Sequence, residues 1–74
     1  MRKLIAETGK NARNEDWYYI EYDEKTSQVF YVHAWNHMDS KLNVSDGEQR
    51  TLLCEAGDKA YYADAIEALK KGFA

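Results

Sequence analysis

Few side chains in this 74-residue chain have the type and spacing to do chemistry. His33-Ala34-Trp35-Asn36-His37 carries the His-x3-His spacing found in some zinc sites. On a helix that spacing sets both imidazoles on one face, but here the neighbours are aromatic and β-branched. They place His33 on a strand and His37 just past its end. Asp39 and Cys54 would complete a ligand set only by a coincidence of folding, so the expectation is two structural histidines, no metal and no cofactor. His33, Asp39 and Cys54 are also the available nucleophile and base pieces. Their spacing marks neither a nucleophile turn nor an oxyanion hole, so no catalytic residue is assigned and no enzyme is expected. Thr8-Gly9-Lys10 looks like part of a phosphate loop, but the second glycine and the Ser/Thr after the lysine are missing.

The elements that must position these groups begin with a hairpin. Trp17-Tyr18-Tyr19-Ile20-Glu21-Tyr22 and Gln28-Val29-Phe30-Tyr31-Val32-His33-Ala34-Trp35 are two strand-forming runs joined by the short polar stretch Asp23-Glu24-Lys25-Thr26-Ser27. With all five joining residues in the loop, Tyr22 faces Gln28, Ile20 faces Phe30 and Tyr18 faces Val32. One face then carries Tyr18, Ile20, Phe30, Val32 and Ala34, and the other Trp17, Tyr19, Glu21, Val29, Tyr31, His33 and Trp35. A four-residue loop with Ser27 in the left-handed region slips the pairing by one and exchanges the partners. The first register gives the cleaner apolar core face and is preferred. In either register, the face opposite the core keeps at least three aromatic rings.

Around the hairpin, residues 1–16 read as a possible short strand at 3–8 followed by a polar loop. Residues 36–47 read as a loop with a possible short strand at Leu42-Asn43-Val44 and a turn at Ser45-Asp46-Gly47, and 48–54 as a strand. From Asp58 the apolar period changes from two to 3.6. Asp58 suits an N-cap, Tyr62, Ala65, Ile66, Leu69 and Phe73 form one stripe, Glu67 and Lys71 are spaced to pair, and Gly72 ends a helix over 58–71. The expected fold is a single α+β domain: a small three- or four-stranded antiparallel sheet with one C-terminal amphipathic helix on one face.

One helix covers one face, and the second is not polar enough to stand in water. Three arrangements relieve this: the N-terminal segment and the 36–47 loop fold over the rings, a second copy docks on them, or a foreign partner does. A chain near the lower size limit for unaided folding gains most from the second. The expectation is a non-catalytic binding or assembly module that contacts protein, most simply its own copy, through Trp17, Tyr19, Glu21, Tyr31, His33 and Trp35. Single-stranded nucleic acid stacked on the same aromatics is the alternative, since β-β-β-α order resembles small RNA-binding folds in outline. Composition disfavours it: 10 basic residues against 13 acidic leave a net charge of −3 and no basic cluster to follow a phosphate backbone. The single cysteine, Cys54, permits no internal disulfide and reads as a small buried hydrophobe in a reducing compartment. Behind Met1-Arg2-Lys3 the apolar run is only Leu4-Ile5-Ala6, so neither a secretion signal nor a membrane span is read and a cytoplasmic location is expected.

Overall fold

The computed structural model describes residues 1–9, 14–38 and 40–72. Alternating and β-branched runs form four strands, β1 (Arg2–Thr8), β2 (Asn14–Asp23), β3 (Gln28–Met38) and β4 (Val44–Leu52). They lie in the order β1-β2-β3-β4, each pair antiparallel. A 3-10 turn at Leu53–Glu55 leads to helix α1 (Tyr62–Lys71). The fold is therefore the expected α+β class, with four strands and one C-terminal helix among the described residues.

The hairpin takes the slipped register. Asp23 pairs with Gln28, Tyr22 with Val29, Ile20 with Tyr31 and Tyr18 with His33. Turn chemistry causes this. The Asp23 carboxylate accepts the Lys25 N–H at 2.9 Å, the Ser27 N–H donates to the Asp23 carbonyl at 2.8 Å, and Ser27 adopts φ 59°. That closes a loop of four residues and shifts every cross-strand partner by one. Tyr18, Ile20, Val29 and Tyr31 consequently face the helix, while Trp17, Tyr19, Glu21, Phe30 and Val32 face away from it.

The core lies between sheet and helix. Ile20, Tyr31, Leu53, Ala56, Ala65 and Ala68 are buried together, with Ile5, Tyr18, Val29, Tyr62 and Ile66 packed around them. Ala65 and Ala68 on α1 let its backbone approach the sheet, where Ile20 and Tyr31 come from the strands and Leu53 from the 3-10 turn. The helix begins at Tyr62 rather than Asp58, with Tyr61 in the left-handed region at φ 63°. Residues 57–61 are used as turn, which carries the chain from the 3-10 turn onto the sheet and sets the Tyr61 ring 4.7 Å from that of Tyr18. Gly72 ends the helix at φ 83°, donating its N–H to the Leu69 carbonyl. Glu67 meets Lys70 at 3.9 Å, in place of the expected Lys71. Leu69 stays on the exposed rim of the stripe, and the expected stripe member Phe73 falls outside the described residues.

The fourth strand departs most from expectation. It begins at Val44 and stops at Leu52, so the supposed turn residue Gly47 lies inside it, paired with Trp35. A Cβ at Gly47 would stand 2.7 Å from Cζ2 of the Trp35 ring, so the missing side chain makes room for the indole. Gly47→Val is expected to cost about 1–3 kcal/mol, the scale of overpacking, and to shift tryptophan emission. An unchanged melt and spectrum would mean that the ring moves aside freely. Beyond Leu52 the 3-10 turn directs Leu53 inward and leaves Cys54 exposed, so Cys54 is a surface thiol rather than a buried hydrophobe.

Candidate protein interface

The segments that one of the three arrangements folds over the second face belong in large part to the sheet. Residues 2–8 became β1, and 36–38 and 44–47 lengthened β3 and β4. Among the described residues, no helix or strand lies over Trp17, Tyr19 and Phe30, all of them partly exposed. Their neighbour Leu4, opposite Tyr19, is 47% exposed.

A partial cover is supplied by side chains. Arg2 on β1 donates from Nε and Nη2 to Glu21 Oε1 at 3.0 and 2.7 Å. The same guanidinium reaches across the sheet to β4, where Nη1 and Nη2 each lie 3.0 Å from a Glu48 carboxylate oxygen. Arg50 pairs with Glu21 Oε2 at 2.6 Å. Arg2 also sits over the Tyr19 ring at 4.9 Å and Arg50 over Phe30 at 4.2 Å. Beneath this lattice Val32, between Tyr19 and Arg50 in the pairing, is fully buried. The bond with Arg2 holds the Glu48 carboxyl below its ordinary value against a smaller opposing effect of burial. The bonds with Glu48 and Glu21 together keep Arg2 charged more firmly than usual. Two guanidiniums meet two carboxylates, so the patch is close to neutral.

The six residues expected to act together are divided by the register. Trp17, Tyr19 and Glu21 remain on the helix-free face. Tyr31, His33 and Trp35 turn to the helix side, where Tyr31 is 4% exposed and donates its hydroxyl to the Ala60 carbonyl at 2.9 Å. Tyr31 is thus a core residue and unavailable for partner contact.

On the helix side, His33 and His37 converge on Asp16, a residue expected in a polar loop. His33 Nε2 lies 2.8 Å from Asp16 Oδ1, and His37 Nε2 lies 3.1 and 3.3 Å from the two carboxylate oxygens. Both imidazoles thus donate to one acceptor. Asp16 faces Trp35 in the pairing, so the histidines two positions to either side reach it diagonally. His33 stacks flat on Tyr18, ring centroids 4.7 Å apart, with the Trp35 ring 5.3 Å away. Continuing the alternation of Tyr18 and Ile20 back to Asp16 is the sequence signal that would have found this cluster. Nε2 of each ring points at the carboxylate, and among the described residues no group of three or more His, Cys, Asp or Glu is arranged to hold a metal ion.

Burial pushes the Asp16 carboxyl up, but the hydrogen bonds from His33 and His37 outweigh it and hold it below its ordinary value of 3.8. A depressed carboxyl stabilises the fold above its unfolded value, and the contribution is lost as pH falls through the folded one. Asp16→Asn is therefore expected to flatten the fall of stability as pH drops below the ordinary carboxyl value of 3.8. A parallel acid slope in urea titrations of both proteins would contradict this.

No family model, no curated protein and no solved structure matches this chain. No helix among the described residues is long and apolar enough to cross a membrane.

Proposed function

We propose that this chain is a non-catalytic assembly module, working in the cytoplasm, whose helix-free sheet face docks on another protein, in the simplest case a second copy. The observation that carries this is the patch of Leu4, Trp17, Tyr19 and Phe30, over which no described element lies. Tyrosine and tryptophan favour such contacts because each brings area with few rotors. The balanced lattice of Arg2, Glu21, Glu48 and Arg50 supports a self-complementary contact, since each guanidinium can find a carboxylate on a copy turned by 180°. The same balance gives a polyanion little to hold. Four strands about 4.8 Å apart and about 30 Å long present roughly 600 Å². That is below the roughly 800 Å² per partner of a standard complex, so a weak association is expected.

Sedimentation equilibrium from 10 µM to 1 mM (about the range a weak dimer spans) tests the reading. Leu4→Lys changes an exposed residue and is expected to weaken self-association about tenfold without altering the melting temperature. A mass unaffected by Leu4→Lys and Trp17→Ala would refute the face contact. Salt-sensitive binding of oligo-U by a monomeric chain would favour the nucleic-acid alternative.

A further inference from the structure

The two edges of the sheet are treated differently. Edge strands present unpaired backbone groups, and proteins guard them with bulges, lysines, proline or covering elements. β1 is guarded: its register breaks between Leu4 and Ala6, it carries Lys3, and α1 packs close to it. Among the described residues β4 has no bulge, lysine, proline or covering element, and its charged Asp46, Glu48 and Arg50 share one face. Its nine residues pair with β3 without a shift, from Met38–Val44 to Phe30–Leu52, and hold neither lysine nor proline. Its run from Val44 to Arg50 is exposed throughout.

The order of residues in β4 is self-complementary. Set antiparallel to a second β4 about a two-fold axis at Glu48, Val44 faces Leu52, Ser45 faces Thr51, Asp46 faces Arg50 and Gly47 faces Gln49. Each pairing occurs twice. The apolar pair would cover Val44, which is 56% exposed in the single chain. Among the described residues Asp46 has no ion-pair partner, and Arg50, bonded to Glu21 through one nitrogen, keeps other donors free. The one like-charge contact, Glu48 against its copy, is already neutralised within each chain by the bidentate bond from Arg2.

From this we infer that two copies join edge to edge through β4, antiparallel and centred on Glu48, to make one continuous eight-stranded sheet. The occupant of the edge is a second copy because the charges and apolar ends of the strand complement themselves. About eight to ten new backbone hydrogen bonds form, according to which alternate residues point outward. This contact lies in the plane of the sheet and does not depend on the face contact proposed above, which lies normal to it.

The test is a register-specific cross-link together with a charge reversal. In a Cys54→Ser background, Glu48→Cys sets two sulfur-bearing residues directly opposite, with Cα atoms about 4.5–5.5 Å apart, within disulfide range. Asp46→Cys sets its two copies four residues out of register, about 13 Å apart. Mild oxidation is expected to give covalent dimer from Glu48→Cys and little from Asp46→Cys. Asp46→Arg is expected to weaken the dimer at least about tenfold by facing Arg50 of the copy, and mixing it with Arg50→Glu chains is expected to restore a heterodimer. A chain monomeric at 1 mM (about millimolar affinity or weaker), cross-linking that favours position 46, or a dimer indifferent to Asp46→Arg would overturn the pairing. Leu4→Lys leaves this contact intact, which separates its failure from that of the face reading.

Discussion

Replacing Ile20 by alanine is expected to remove about 2–5 kcal/mol of stability, the range for emptying a fully buried branched site. Ile20 is 0% exposed and sits where β2 meets Tyr31, Leu53 and the alanines of α1. A domain of this length has roughly 4–11 kcal/mol in total, so one substitution takes about a fifth of it or more. Leu4→Ala, at a residue 47% exposed, is expected to stay within about 1 kcal/mol. Urea unfolding of both variants checks the contrast. An Ile20→Ala loss below that of Leu4→Ala would mean that the load-carrying contact between sheet and helix lies elsewhere.

Alkaline pH is expected to act through Tyr31. Burial, with the nearby Tyr18 and Tyr61 rings, pushes its hydroxyl up to about 12 from an ordinary 10. A group that binds its proton more tightly when folded stabilises the fold fully below the unfolded value. That contribution is lost as pH rises from 10 through 12, about 2–3 kcal/mol in all. Tyr31→Phe removes the titration and also the 2.9 Å bond to the Ala60 carbonyl. The variant is expected to be about 1 kcal/mol less stable at neutral pH and to lose less on going to pH 12, so that the two stability curves converge or cross. Curves that stay parallel from pH 7 to pH 12 would show that the phenol ionises as easily folded as unfolded.

The two histidines illustrate how a short spacing misleads. His33 and His37 are four residues apart, a helical metal spacing, yet β3 carries them to either side of Asp16 on the neighbouring strand. Spacing along the chain conveys distance only after the element is known. Gly47 makes the same point. Ser45-Asp46-Gly47 has turn composition, but the glycine is needed for the close approach of Trp35, a contact twelve residues away in sequence. Composition names a residue's preferences, and the long-range partner selects among them.

Taken alone, the order of residues determined the class of fold. Period two in the hairpin and period 3.6 after Asp58 suffice for strands and helix, because those periods follow from backbone geometry, and the short loop after Tyr22 makes the hairpin antiparallel. It also required at least three rings on the face away from the core, in either register. Which rings they are was decided only by the folded hairpin. Loops of four and five residues differ little in local energy, yet exchanging them turns every side chain to the opposite face. Tyr31, His33 and Trp35 thereby moved to the helix side, and Phe30 and Val32 took their place. The Arg2–Glu48 link across the sheet and the exposed edge of β4 likewise exist only once four separate strands lie side by side.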